Sequence, residues 1–484
     1  MNLRISEQHY KLVRQVTSPS FRREVELPPE TGCILMIAQN EHPENSCFLV
    51  AEVLLPSSGD VAESSTDGLV FSSSFLRRAL LRVRDRHLAG FLTVHTHPLA
   101  DERVAFSLYD DSQDPRLMCN LHELQPTGVF GSVVLGRRSV AGRIWPVGKD
   151  RPVFLDRLMI VGETLEMMSL RGEPLAAATS SEVFDRALAL TGAGALSRLS
   201  EMRIGVVGAG GTGSLVIELL ARAGAGEIVV FDFDLAEVSN LNRVLHLREE
   251  DVLAARSKAD RLHQVITESG LPTRLTVIEG GNVTYTEVTR ELTGCDLIVG
   301  CVDCDWPRLV MCEVAYQFLI PLIDIGTEIG LSDAQVQSLD SRVSLVGPGR
   351  PCLICTGVVS RDRVRLEGYS DIEQDRVLKM GYSADIRLKA PAVMDLNMRA
   401  ASMAMLVIRH FLQPYLLTPL PHTIKEAVTN FSMRTLQHVS CIDCAICGTA
   451  ERVGIGNAAR LTTRTALGVP RRLQTPVSEN APHA

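Results

Sequence analysis

Three sets of residues in this 484-residue chain have types and spacings that can do chemistry. The first lies in Phe91-Leu-Thr-Val-His95-Thr-His97-Pro98, an apolar strand that runs into two histidines. A period of two puts the imidazoles of His95 and His97 on one face. A loop of nine residues leads from His97 to Ser107, and Asp110 follows three positions on, with Asp111 beside it as a competing carboxylate. Two imidazoles and a carboxylate returning from a helix make a three-ligand zinc site whose fourth position stays open to water. Zinc brings the pKa of that water towards neutrality and polarises a carbonyl, and a nearby carboxylate must carry the proton. The chemistry is hydrolytic.

The second set follows the apolar strand Met202-Arg-Ile-Gly-Val-Val207. The run Gly208-Ala-Gly210-Gly211-Thr-Gly213-Ser214 opens a helix, and its glycines let backbone amides approach a phosphate at the helix N-terminus. Nineteen residues after Gly213, Asp232 ends the strand Ile228-Val-Val-Phe-Asp232, where a carboxylate meets a ribose hydroxyl. Asp234, Asn240, Arg243 and Lys258 come next, and Asp303 ends a further apolar strand that starts at Asp296. A hydride-transfer site wants an apolar nicotinamide pocket and has little use for several cations. ATP wants cations for its phosphates and a carboxylate for Mg2+. The fitting reaction is nucleotidyl transfer, in which a carboxylate attacks the α-phosphate and pyrophosphate leaves. Arg243 and Lys258 neutralise charge in that transition state, and Asp303 holds the metal.

The third set is Cys352-Leu-Ile-Cys355 and Cys444-Ala-Ile-Cys447, two C-x-x-C pairs whose four thiolates fit a closed tetrahedral zinc. Cys441 competes with Cys444 as first ligand of the second pair. Redox dithiols are the alternative, disfavoured by the presence of two such pairs. Cys295, Cys301, Cys304 and Cys312 lie on apolar elements and read as core residues.

These sets need elements to position them. Residues 1–150 read as short strands around one helix, and 151–182 as a linker with a helix over Phe154–Ser169 and a small-residue run at 176–181. Residues 183–450 alternate apolar strands with helical patterns, which predicts a doubly wound parallel sheet. Residues 451–484, with Arg460, Arg464, Arg471 and Arg472, read as a flexible basic tail. The fold class is α/β throughout. Composition agrees with packed domains: 45% hydrophobic and 22% charged residues, net charge −8. A globally anionic chain is a poor non-specific nucleic-acid binder, so none is expected. No apolar run is long enough for a membrane span, and the N-terminus lacks a secretory h-region, which together predict a cytoplasmic protein with its 12 cysteines reduced.

His95-Thr-His97-Pro98 with Ser107-Leu-Tyr-Asp110 resembles the metal motif of the JAB/MPN metalloproteases, the JAMM deubiquitinase class. The loop between the two parts is longer than usual in that family. The resemblance implies an α/β metalloprotease domain in which His95, His97 and Asp110 bind zinc and Ser107 supports the oxyanion. In that family a glutamate opening an early strand shuttles the proton, and Glu30-Thr-Gly-Cys-Ile-Leu35 resembles that segment. Glu30 is therefore the candidate, with Glu52 on the next apolar strand as the other carboxylate to weigh, read as an edge-strand charge.

The run from the glycine loop through Ser239-Asn240-Leu-Asn242-Arg243, Lys258, Asp303 and the two C-x-x-C pairs resembles the E1-like (ThiF/MoeB) superfamily, a Rossmann-like fold with a structural zinc. The resemblance implies that Gly208, Gly210, Gly211 and Gly213 cradle ATP, Asp232 contacts ribose, and Asn240, Arg243 and Lys258 contact phosphates. It makes Asp303 the metal-binding aspartate and Arg186 a finger reaching a partner subunit, hence a homodimer. Two zincs, one hydrolytic and one structural, and Mg2+ are the implied metals.

Thioester-forming members carry a cysteine in the crossover, and this chain has none between Cys355 and Cys441. The hydroxyls of Ser360, Tyr369, Ser370, Tyr382 and Ser383 read as ordinary loop groups without an adjacent base. Cys304, next to Asp303, is the other thiol near the nucleotide. Together the resemblances imply a bifunctional enzyme of a prokaryotic ubiquitin-like pathway, of a kind tied in some cases to antiphage defence. One half trims or deconjugates a ubiquitin-like β-grasp protein and the other adenylates its C-terminal carboxylate, with an E2-like protein as a further partner. Activation of a sulfur carrier and a non-catalytic scaffold are the alternatives; a Rossmann oxidoreductase is a distant one.

Overall fold

The computed structural model describes residues 1–21, 28–149, 151–175, 182–333, 335–379, 391–465 and 472–474. The chain forms two compact units. The first comprises Met1–Ala176 with Tyr316–Leu319 and Thr449–Arg460, the second Ala177–Ala315, Ile320–Gly448 and Leu461–Ala484.

The first unit is built on a nine-stranded mixed sheet, in the spatial order Leu165–Ser169, Arg157–Val161, Asn2–Ser6, Cys47–Leu54, Gly32–Asn40, Gly90–Thr96, Val129–Leu135, Val140–Ile144 and Val153–Phe154. The central strands are near-continuous apolar runs, as strands covered on both faces must be. Three helices pack on them, Glu7–Thr17, Ser73–Asp85 and Leu108–Leu124, where the sequence pattern suggests one. Gly32 pairs with His95 in the antiparallel ladder. A Cβ at Gly32 would lie 1.9 Å from the Val94 carbonyl oxygen. Only glycine lets the strand start that close, and the register carries Glu30, two residues upstream, to the level of His97.

The helix expected over Phe154–Ser169 does not form. Arg157–Val161 instead pairs parallel with Asn2–Ser6 and antiparallel with Leu165–Ser169. Apolar residues at 154, 158, 161, 165 and 168 do recur at helical spacing, but Gly162 and the β-branched pair Ile160-Val161 suit a hairpin, and a partner strand from the N-terminus decides the matter. Residues 151–175 thus complete the first sheet rather than link two domains. The run 176–181 lies outside the described residues.

The second unit has its own nine-stranded sheet. Its parallel centre runs Leu322–Ser332, Leu297–Gly300, Arg203–Val207, Glu227–Phe231, Arg274–Ile278, and helices connect the strands. The chain leaves Arg203–Val207 in one direction, winds two strands outward, then returns to its other side at Leu297–Gly300. That reversal is a topological switch point, where open α/β sheets place a crevice beyond the carboxyl ends of the strands. Gln335–Val346, Thr423–Ala427 and Ser432–Leu436 extend one edge antiparallel.

Much of the expected tail is structured instead. Turns at Ala450–Arg452 and Gly456–Ala458 belong to the first unit, and Arg472–Gln474 pairs antiparallel with Arg274–Ile278 in the second. Gly454 and Gly456, both at positive φ, allow this segment to lie against the backbone at Val50 and Gln39, where a Cβ would come within 2.5 Å of either carbonyl oxygen. Arg471 lies outside the described residues. No helix among the described residues is long and apolar enough to cross a membrane.

Candidate functional site

In the first unit His95 ends a central strand and His97 follows it, while Asp110 stands in the first turn of the helix Leu108–Leu124. His95 Nε2 lies 3.1 Å from Asp110 Oδ1, and His97 Nε2 lies 3.3 Å from Asp110 Oδ2. Donor atoms of one tetrahedral zinc at about 2.0–2.1 Å stand roughly 3.3 Å apart, so these three side chains fit that ion. Glu30 Oε1 is 3.8 Å from His97 Nε2. Glu30 is buried, and its Oε2 has no hydrogen-bond partner among the described residues. A buried carboxylate with one oxygen near His97 and the other without a partner suits a metal-bound water. Burial is the main cause that pushes Glu30 up to about 7, partly offset by His95 and His97. Burial is the largest influence on His95 and works against its charged form, but the contact with Asp110 and the charges of Asp110, Glu30 and Asp114 together outweigh it and raise its pKa.

Ser107 caps the helix, and both its N–H and its Oγ donate to Asp110 Oδ2, at 2.6 and 2.8 Å. Its hydroxyl proton is therefore committed to the carboxylate in this arrangement. Asp111 points elsewhere, to Arg143. Glu52 is held by Arg82 and Arg86 at 3.0 and 2.7 Å, but its strand Cys47–Leu54 lies inside the sheet between Asn2–Ser6 and Gly32–Asn40, not at the edge expected from the sequence.

In the second unit Cys352, Cys355, Cys444 and Cys447 converge, their Sγ atoms all within 4.8 Å of one another. The pairs Cys352–Cys444 and Cys355–Cys447 stand 3.6 and 3.5 Å apart, close to the ~3.8 Å edge of a ZnS4 tetrahedron. A hydrogen bond shared with Cys352 brings the Cys447 thiol down to about 4 and pushes Cys352 up. Cys441 is exposed, and its backbone N–H donates to Cys355 Sγ at 3.4 Å, so it supports the cluster without joining it. Cys295 and Cys312 are buried, as read from the sequence, but Cys304 is exposed and its thiol donates to Asp303. Cys352→Ser should cost one zinc per chain by elemental analysis and lower the melting temperature of the second unit.

The glycine loop sits at the switch point. Gly208 has φ +94°, and a Cβ there would come 2.8 Å from the Cys301 carbonyl oxygen at the end of the adjacent strand. Gly213 packs against Gly208, where a Cβ would be 1.8 Å from its carbonyl oxygen. Gly210 opens the helix Gly211–Ala223 with no side chain capping its N–H groups. Gly213→Ala should therefore remove nucleotide binding in calorimetry and destabilise the unit by about 1–3 kcal/mol, while metal content is unchanged.

Asp232 is buried and fastens this loop: Oδ2 accepts from Ala209 N at 2.6 Å and Oδ1 from Asp234 N at 2.8 Å. Burial raises its pKa. Lys258 is buried rather than on a solvated face, its Nζ 2.7 Å from Asp234 Oδ2. Asn240 is buried, with its side chain accepting from Glu237 N. Arg243 is half-buried and bonds Ser239 O and Asn242 Oδ1. The Leu245 N–H donates to Ser214 Oγ at 3.0 Å and so ties this cationic loop to the glycine helix. Asp303 is exposed just beyond the strand Leu297–Gly300. Arg186 is exposed near the start of the helix Asp185–Glu201. Of the crossover hydroxyls, Ser370 caps a helix with Glu373, and Tyr382 and Ser383 lie outside the described residues.

The sequence reading missed Asp324, fully buried between Arg308 and Arg342 at 3.2 and 2.6 Å. Its signal was present, an aspartate closing the apolar run Ile320-Pro-Leu-Ile-Asp324 as Asp232 and Asp303 close theirs. Arg143, with Asp114, was missed too, and nothing local in its strand marks it.

A glycine loop at the switch point of a parallel sheet makes the second unit a Rossmann-like α/β domain. Residues 184–440 match the model of the ThiF family, more than half of the 484 residues, and the chain belongs to that family. It is 28% identical over 195 residues to ubiquitin-like modifier-activating enzyme 5 of Oryza sativa subsp. japonica, covering 36% of this chain and 44% of that protein. It is 31% identical over 163 residues to the tRNA threonylcarbamoyladenosine dehydratase of Escherichia coli (strain K12), covering 33% of this chain and 59% of that protein. The chain thus spans about half the length of the curated relatives it matches. Among solved structures, E. coli MccB with succinimide aligns at a TM-score of 0.43 and 19% identity, over 56% of this chain and 75% of that one.

Proposed function

We propose that the ThiF-family unit is an E1-like adenylyltransferase that uses ATP and Mg2+ to activate the C-terminal carboxylate of a ubiquitin-like β-grasp protein. The first unit is, in the same reading, a JAB/MPN-type zinc (iso)peptidase that exposes that carboxylate or releases conjugates. Such a pairing belongs to prokaryotic ubiquitin-like modification, including its antiphage forms, with an E2-like protein downstream. Family membership together with the switch-point crevice supports adenylation. The convergence of Glu30, His95, His97 and Asp110 in one buried cluster supports hydrolysis.

In the adenylation step a carboxylate oxygen of the substrate attacks the α-phosphorus, and the bond to pyrophosphate breaks. Backbone N–H groups at Gly210–Gly213 face the phosphates. Lys258 exchanges Asp234 for a phosphate oxygen, and Arg243 adds a second cation. Asp303 would hold Mg2+, which, when bound, spreads the charge of the triphosphate. Arg186 would complete the site of a second copy in a homodimer. With no cysteine between Cys355 and Cys441, no crossover thiol takes the acyl group, and the reaction ends at the adenylate unless Cys304, a loop hydroxyl or a partner's thiol accepts it. That deficit also favours a second reading, sulfur-carrier activation, which shares the same step.

In the hydrolytic step His95, His97 and Asp110 would hold zinc, which, when bound, polarises the scissile carbonyl and acidifies water. Glu30 takes the water proton and hands it to the leaving amine nitrogen. Ser107 keeps Asp110 oriented.

The test uses the full chain with a ubiquitin-like protein extended beyond its C-terminal glycine. Cleavage at that glycine, followed by ATP–pyrophosphate exchange that requires the trimmed end, is expected. Exchange that ignores the β-grasp protein, or neither cleavage nor exchange with any of a panel of ubiquitin-like proteins, overturns the reading.

A further inference from the structure

Arg143, on the strand Val140–Ile144, is only 2% exposed and has no part in the chemistry above. Its Nε and Nη2 donate to Asp114 Oδ2 at 3.1 and 2.7 Å, and its Nη1 donates to Asp111 Oδ1 at 2.5 Å. Ser132 Oγ donates to the same Asp114 oxygen. The guanidinium carbon lies 3.8 Å from the ring centroid of Phe106 and 5.4 Å from that of Trp145. Phe106 is the residue just before Ser107, the helix cap. One side chain therefore grips the helix on two carboxylates and also the residue that leads into it.

We infer that Arg143 is a positioning residue for Asp110: by holding Asp111 and Asp114 it sets the rotation of the helix so that Asp110, and not Asp111, faces His95 and His97. The inference rests on the zinc reading of that site. On a helix, Asp114 lies about 40° around from Asp110 and Asp111 about 100°. A rotation of the helix by about 40° or about 100° would thus present a different carboxylate to the histidines. Asp114 and Asp111 are both occupied by the same fork. A guanidinium can serve two carboxylates at fixed angles at once, whereas an ammonium is a single point charge. Burial makes the arrangement stringent, because losing the cation leaves Asp114 buried with only a serine hydroxyl for company.

The measurement is the zinc affinity of the histidine site in the full chain, by competition with a chelator weak enough to leave the four-cysteine zinc in place. Arg143→Lys should weaken it about 10–100-fold. In a double-mutant cycle with Asp110→Asn the two losses should not add, because Arg143 acts through Asp110; a generally structural residue gives additive losses. Unchanged affinity in Arg143→Lys, or additive losses, overturns the inference. Should Arg143→Lys fail to fold, Asp111→Asn replaces it in the same cycle and is judged by the same two outcomes, since that side chain is 54% exposed. A wild-type chain that holds one zinc, unaffected by His95→Ala plus His97→Ala, is a different result: it removes the zinc reading itself and the inference with it.

Discussion

Asp303→Ala should abolish ATP–pyrophosphate exchange, with a loss of at least about 10²-fold, while ATP still binds within a fewfold of wild type and the metal content stays at two zincs. Three features set the size of the effect. Asp303 stands exposed beyond a central parallel strand at the switch point, where a bound triphosphate would lie. Arg308, in the helix that follows, is already engaged by buried Asp324, so it does not occupy Asp303 in a tight ion pair. If Asp303 holds the metal as proposed, its removal forfeits several kcal/mol of transition-state charge stabilisation, which is two or more powers of ten in rate. Folding should not suffer, since an exposed side chain is lost. Exchange at wild-type rate in a folded Asp303→Ala chain would sink the adenylation assignment.

Glu30→Gln is the second variant with a large expected effect. The substitution keeps shape and burial but removes the proton acceptor. Peptidase kcat should fall about 10²–10⁴-fold with zinc retained, and retained zinc separates a proton carrier from a ligand. Burial, the largest influence on Glu30, holds its pKa near 7, where the group can both accept and return a proton. The basic form is the active one, so wild-type rate should fall about tenfold per pH unit on the acid side of the Glu30 pKa, which a bound Zn2+ would bring below its metal-free value. The metal-free fold binds the Glu30 proton more tightly than the unfolded chain does. Its stability therefore declines as pH rises from 4.5 towards about 7, which urea melts of chelated protein can check. Hydrolysis at an undiminished rate in Glu30→Gln would reassign the proton carrier.

How far the sequence carries these conclusions depends on whether the deciding contact is local. His95 and His97 are legible because strand period alone puts them on one face, and the glycine loop because strand, glycines and helix are contiguous. The choice of Asp110 over Asp111 is not. It is made by Arg143, which reaches back from a strand about thirty residues further on. Cys444 over Cys441 is likewise decided by which thiol turns towards Cys352. The hairpin at Arg157–Ser169 escapes a local reading for the same reason, because its partner is the first strand of the chain. Cys304 escapes it because an apolar neighbourhood in sequence says nothing of a strand's end.

The path of the chain also governs how the molecule can be taken apart. Residues 449–460 belong with the first unit although about 270 residues of the second precede them, and the chain then returns to the second unit at Leu461. No single cut in the peptide yields two complete halves. A fragment ending near residue 176 would lack the piece that lies over Val50 and Gln39, leaving bare part of the strands Cys47–Leu54 and Gly32–Asn40, the second of which starts just after Glu30 and pairs with the histidine strand. Anyone isolating the first unit should supply that piece as a grafted or separate peptide. The two units are in this sense interleaved rather than joined end to end.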